Sequence, residues 1–256
     1  MATATTAVTP ATTTAPTLAL PYKSNYEIAI SFFKEKAKDL AKAINYGFGW
    51  AAQVYPNNPT LPSVSKGAKD VKNFLSTTEI PEKADKTVAS VRQFFAAPSV
   101  ATGRNVLKEG TGLINSTCDG IDFSSNWLTI PSQVMKGLSL VNYGATFLGA
   151  GNSAIEQAES INCEARKLRE GKACNEQKIH LNMINIARDV SYVALAVLGI
   201  LSIAFGVAVA PWVFLACLTS GLLFTIGGYF YERMVDPEKK HFDKDKMIAQ
   251  LQARAA

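Results

Sequence analysis

The sequence predicts an all-α chain: amphipathic helices followed by a two-helix transmembrane hairpin. Three observations predict it. Apolar residues recur at steps of three and four through the first half. No segment alternates as a strand would. Residues 190–231 contain no charged side chain over 42 positions, although hydrophobic residues are only 48% of the chain and its mean hydropathy is +0.07. The apolar content is therefore concentrated in one place.

That place divides the chain into four parts. Residues 1–20, "MATATTAVTPATTTAPTLAL", hold no Lys or Arg and no apolar core of signal-peptide length. Their Thr/Ala/Pro composition predicts disorder, because it offers too little to bury. Residues 21–188 are expected to be a helical, cytosol-facing region. Residues 189–232 form the apolar hairpin, and residues 233–256 a polar tail helix.

The first helix is expected to start at Ser24, which has capping-box spacing to Glu27. Ile30, Phe33, Ala37, Leu40 and Ile44 would share its inner face, with Lys34, Lys36, Lys38, Asp39 and Lys42 opposite. That charged face suits solvent or a membrane surface. The prolines of "YPNNPTLP" end the element. A second helix over about 63–75 would turn Val64, Ala68, Val71 and Leu75 inward. A third starts at Pro81, where a missing N–H is harmless, with Ala84, Val88, Val91 and Phe95 inward. A fourth starts at Pro98 and places Val100, Gly103, Leu107, Gly110, Ile114 and Thr117 on one face. There Gly103 and Gly110 would admit a close neighbour. A fifth, over about 121–130, stops at Pro131. A long helix over 132–170 is uncharged between Lys136 and Glu156, but polar residues interrupt it. It is expected to be buried or membrane-resting rather than a crossing.

A crossing needs about 20 apolar residues. One helix of 42 residues would be about 63 Å long, twice the hydrocarbon thickness. Gly206 and especially Pro211 sit at the middle, and Pro211 disfavours helix at Ala210. Two spans, 190–209 and 212–231, with a turn at Ala210 and Pro211, fit the length. The first holds eleven Val, Leu, Ile or Phe residues, each favouring insertion by about 0.3–0.6 kcal/mol. Aromatic rings mark both ends of the second: Trp212 at one, Tyr229, Phe230 and Tyr231 at the other. Lys and Arg flank the hairpin on both sides and are absent from its turn, so both flanks should share one face of the membrane. A hydrophobic hairpin stored inside a soluble bundle, as in pore-forming toxins, is the alternative.

No catalytic, cofactor or metal site is expected. His180 and His241 lack partners at metal-ligand spacing, and no nucleophile elbow, phosphate loop or dinucleotide fingerprint is present. His180 fits a polar face just before the membrane. Cys163 and Cys174 flank a turn at Gly171; a disulfide and two reduced thiols both remain open there. Cys118 and Cys217 are scattered, and Cys217 fits a small hydrophobe. The sequon at Asn115 falls inside a predicted helix. The net charge of +5 is interleaved rather than striped, which argues against nucleic acid.

Two close-set apolar lobes, an unsignalled polar N-terminus and the absence of catalytic motifs resemble the inclusion membrane proteins of chlamydiae. A local stretch sharpens the likeness: Gly149-Ala150-Gly151, then Cys163 to Arg166, then Ala173-Cys174 before Lys178 resemble the corresponding part of one member. The resemblance covers some thirty residues; the hairpin is similar only in character. It implies a type III secreted protein, multi-pass in the host vacuole membrane, with both termini in host cytosol. It also implies a non-catalytic scaffold whose partners are the lipid bilayer and host cytosolic proteins, with self-association open. It carries no binding residues. Unlike the commonest family pattern, the hairpin here lies near the C-terminus. The competing functions are helical membrane remodelling and pore formation.

Overall fold

The computed structural model describes residues 25–172 and 174–235. Expectations for residues 1–20, for a cap at Ser24, for His241 and for the tail beyond Val235 lie outside the described residues. The described part is all-helical: α1 (Asn25–Glu35), α2 (Ala37–Val54), α3 (Thr60–Thr78), α4 (Ile80–Ala96), α5 (Val100–Ser124), α6 (Ser132–Arg169), α7 (Glu176–Phe205) and α8 (Pro211–Val235).

Local chemistry accounts for several boundaries. Ser99 caps α5 through a reciprocal box with Thr102, so α5 starts just after Pro98. Pro81 sits in the first turn of α4. Gly171 ends the long α6 at φ 68, the left-handed region that glycine enters without penalty. Lys172 N–H there bonds the Lys167 carbonyl at 2.9 Å and Gly171 N–H bonds Leu168 at 3.1 Å, a Schellman closure. Asn175 then caps α7 by accepting from Lys178 N–H.

Six helices close a ring. α2 packs on α3, α3 on α5, α5 on α6, α6 on α7, α7 on α8, and α8 back on α2. Cross-links show each neighbouring pair to be antiparallel. Tyr143 lies over Gly199 while Glu164 reaches Asn175. Trp50 Nε1 donates to Thr219 Oγ1 at 3.0 Å, while Phe32 at the other end meets Tyr229. α4 packs outside the ring on α5 and α3, and α1 packs on α2 and α8. The helix-to-helix links at 55–59, 125–131 and 206–210 therefore gather at one end.

Several sequence expectations are corrected in detail. The hairpin turns at Gly206 (φ 68), five residues before Pro211, because a glycine can take the left-handed conformation that stops α7. Pro211 instead opens α8. The first helix breaks at Lys36, where ψ swings to 31°. Its buried residues are Ile28 and Phe32, then Ala41 and Tyr46, while Phe33 and Ile44 are exposed. The segment at 121–124 is the end of α5 and not a separate helix. On α3 and α4 the apolar stripes are only partly inward: Val71, Val88 and Phe95 are exposed, as is Phe74 beside them, Val64, Ala68, Leu75, Ala84 and Val91 are half-buried, and Asn73, Ser76 and Ser90 are buried.

Candidate membrane interface and central cavity

Charge is absent from one end of the ring. The link between α2 and α3 lies within residues 43–65, which carry no charged side chain; neither do residues 123–135 around the α5–α6 link, nor residues 190–231 around the hairpin turn. Three stretches far apart in sequence thus meet where the antiparallel packing brings their links together. Large apolar side chains at this end face outward: Val54, Tyr55, Trp127, Leu128, Phe205 and Trp212 are all exposed, Trp127 by 72%. Lys66 and Lys136 stand one to two helical turns below, within snorkelling reach of an interface.

The hairpin extends this surface. α7 and α8 both have the length and apolarity of membrane crossings, with a mean hydropathy of 1.8, yet only 22% of each apolar window is buried in the protein. The core helix of a water-soluble bundle would bury most of that window. Leu223 is 62% exposed, and Val190 and Val197 also face outward. The inner faces pack through glycines: a Cβ on Gly199 would stand 2.5 Å from the Tyr143 ring, and one on Gly221 2.8 Å from Tyr192. Small residues at such crossings let helices approach where burial from water cannot drive them together.

The opposite end is charged. Arg233 bonds Glu35 Oε2 at 3.0 Å and lies 3.5 Å over the Tyr229 ring. His180, expected near the membrane boundary, is exposed there, with Nδ1 3.0 Å from the Tyr231 hydroxyl. Arg104 forks onto Glu159. Glu164, inside the "CEAR" stretch, is a buried fastener of the α6–α7 corner. It accepts from Lys167 Nζ at 2.8 Å and from Asn175 N–H at 3.1 Å. Those two bonds hold its carboxyl down at about 2. Cys163 and Cys174 are both free thiols, which resolves the pairing left open by the sequence.

Midway along the ring lies a cavity of about 540 Å³. One wall is cationic: Lys38 and Lys42 from α2, Lys69 and Lys72 from α3, and Lys83 from α4. The facing wall comes from Leu138 of α6, Tyr192 and Leu195 of α7, and Phe214 and Leu218 of α8. Lys72 Nζ meets Asp119 Oδ1 at 2.6 Å, Lys42 meets Asp39 at 2.8 Å and Lys69 meets Asp122 at 2.9 Å. Lys38 and Lys83 share a single oxygen, Glu79 Oε2, at 3.0 and 2.7 Å. Lys83 also donates to Ser116 Oγ at 2.6 Å. Burial pulls the Lys38 and Lys72 ammonium groups below their ordinary pKa, and their carboxylates only partly oppose it. Burial pushes Glu79 up, but its two lysine bonds overbalance that and hold it low.

The apolar run pointed to the hairpin in the sequence, but nothing there pointed to this cavity. Its lysines are spread over three helices, and the fold brings them together. The sequon residue Asn115 lines it too, and its Oδ1 finds no donor among the described residues. No cluster of three His, Cys, Asp or Glu side chains suited to a metal occurs among the described residues. No protein-family model, curated protein or solved structure matches the chain.

Proposed function

We infer that this chain is a membrane-embedded, non-catalytic scaffold. Its uncharged end and hairpin enter the bilayer, and its charged end faces the aqueous compartment. The observation that carries the reading is the convergence of three charge-free stretches at one end, with their large apolar side chains turned outward. Burying such a surface in lipid stabilises it, and leaving it in water does not.

The hairpin geometry supports a crossing with both flanks on one side. Within the uncharged run α7 rises about 24 Å and α8 about 31 Å, and the loop at 206–210 adds to the shorter arm. Carrying Arg166, Lys167, Arg169 or Arg233 through the bilayer would cost about 2.5–3.5 kcal/mol each. The compartment we propose rests on the resemblance to chlamydial inclusion membrane proteins: a host vacuole membrane, reached by type III secretion, with the charged end in host cytosol. The exposed charged corner around Glu159, Arg166 and Glu170 would then be offered to host proteins.

Alkaline carbonate extraction and tag staining test this. The protein should stay in the membrane pellet, and tags at both ends should stain after the plasma membrane alone is opened. Release into the supernatant, or a tag that stains only after the vacuole opens, overturns it. The closed ring around a cavity with one cationic wall supports a second reading, a pore. Dye release from liposomes at protein levels that leave them unbroken by light scattering would favour the pore over the scaffold.

A further inference from the structure

We propose that the central cavity is a binding site for a phosphate-bearing anion, with the phosphate held by Lys38, Lys72 and Lys83. The proposal stands apart from the scaffold reading, because one form of the ligand needs no membrane.

Charge balance is the first argument. Five lysines meet four carboxylates, Asp39, Glu79, Asp119 and Asp122. The shortfall is local, because Lys38 and Lys83 converge on one Glu79 oxygen. An ammonium has three donors. Among the described residues, Lys38 and Lys72 each use one of them on a side chain, and Lys83 uses two. Several donors thus remain for a group that only accepts. A phosphate offers three or more acceptor oxygens and negative charge, and lysine binds it as a point charge.

Location is the second argument. Partly desolvated cations are costly without full compensation, and the Lys38, Lys72 and Lys83 side chains are only 24%, 18% and 26% exposed. An incoming anion would offset that cost.

Shape is the third. The volume of about 540 Å³ is far more than one phosphate needs and falls within the range of small-ligand pockets. The wall opposite the lysines, with Leu195, Phe214 and Leu218, suits an apolar body attached to the phosphate. Asn115 lines the same space, and its Oδ1 finds no donor among the described residues. Ser116 already accepts from Lys83, so its own proton is free to donate. A phospholipid headgroup and a soluble phosphate ester share this chemistry.

The full chain should be tested in two arms. In one, nanodiscs of phosphatidylcholine with and without phosphatidylinositol phosphate are presented, and native mass spectrometry reads the lipid retained. In the other, glycerol 3-phosphate and inorganic phosphate are titrated by calorimetry. Lys38→Gln with Lys83→Gln should weaken binding by about tenfold or more, because two charge-assisted bonds are lost. Gly112→Leu keeps every charge but fills the cavity, since a Cβ there meets nothing within 4 Å. It too should weaken binding by about tenfold or more. Lys86→Gln, on the exposed surface away from the cavity, should change nothing.

Retention of the phosphoinositide, with or without a calorimetric signal, assigns the site to a lipid headgroup. A calorimetric signal alone assigns it to a soluble phosphate. If the folded wild type gives neither, or if Gly112→Leu binds like wild type, the proposal is overturned. Should the double lysine variant fail to fold, Gly112→Leu decides alone.

Discussion

The two sides of the ring obey opposite rules of polarity. On the hairpin side, α7 and α8 are apolar over their upper length and still leave most of that surface uncovered. On the lysine side, α3 and α4 bury Asn73, Ser76 and Ser90 and expose Val71, Phe74, Val88 and Phe95. The cavity is what makes the two sides belong to one molecule. Asn73 of α3 is buried against α5, donating to Asp122 Oδ2 at 2.6 Å, while Val71 and Phe74 of the same helix face out. A side chain's hydropathy therefore tells which stripe it joins, while the tertiary partner decides where the stripe points.

The largest expected effect tests whether the two outward apolar faces meet the same medium. Val197 and Leu223 are exposed on the hairpin, and Val88 is exposed on α4, low on the lysine side. Val197→Arg with Leu223→Arg should cost about 2.5–3.5 kcal/mol per site if lipid covers them. Val88→Arg should stay within about ±0.5 kcal/mol, as a surface change in water does. In carbonate extraction the hairpin double variant should be released and Val88→Arg retained. A soluble bundle would leave the pellet as wild type and as every variant, and that equal release would remove the membrane reading.

How much of this was legible follows from the same comparison. The hairpin was legible because 42 uncharged residues admit few structures. The fold class, the long α6 and the glycine turn at Gly171 were also legible, each from a local rule. The exact turn was misplaced because Pro211 is the stronger breaker in sequence, while Gly206 fits the conformation that a helix end adopts. On α3 and α4 the spacing is legible and the direction only in part, since "apolar inward" assumes an apolar core: Val71, Val88 and Phe95 face out, while Val64, Ala68, Leu75, Ala84 and Val91 are half-buried. The cavity was not legible. Lys38, Lys72 and Lys83 belong to three helices, and each reads alone as a solvated lysine.

Packing on the hairpin side gives the next effect. Gly199→Val would drive side-chain atoms into the Tyr143 ring, where even a Cβ comes to 2.5 Å. Overpacking of this kind costs about 1–3 kcal/mol. Thermal unfolding of the purified protein in detergent should show a lower midpoint. An unchanged midpoint would mean that α6 and α7 are farther apart than described.

Acid should loosen the corner that joins the two sides of the ring at its charged end. The Glu164 pKa, ordinarily 4.5, is held at about 2 by its bonds to Lys167 and to Asn175 N–H. A depressed carboxyl contributes stability above its unfolded pKa and loses it as pH falls through the folded value. Protection of the Asn175 amide against hydrogen exchange should therefore be full above about pH 4.5 and fall away towards pH 2. Glu164→Gln should flatten that dependence. A pH profile unchanged by the substitution would place the loosening elsewhere.

The smallest expected effect has the opposite sign and probes the lysine side. Gly103 and Gly110 share a stripe on α5 and would suit a close helix neighbour. In the structure only Gly103 has one: Phe94 stands 3.6 Å from the place of its Cβ, and nothing lies within 4 Å at Gly110. Gly110 sits in mid-helix, where glycine is less favourable than alanine by about 0.8–1.0 kcal/mol. Gly110→Ala should therefore raise the thermal midpoint slightly in detergent, while Gly199→Val lowers it. The pair separates a glycine kept for contact from one with no contact in the monomer. If Gly110→Ala lowers the midpoint, α5 must meet a close neighbour there, and a second copy of the chain becomes the surface to examine by crosslinking from that face.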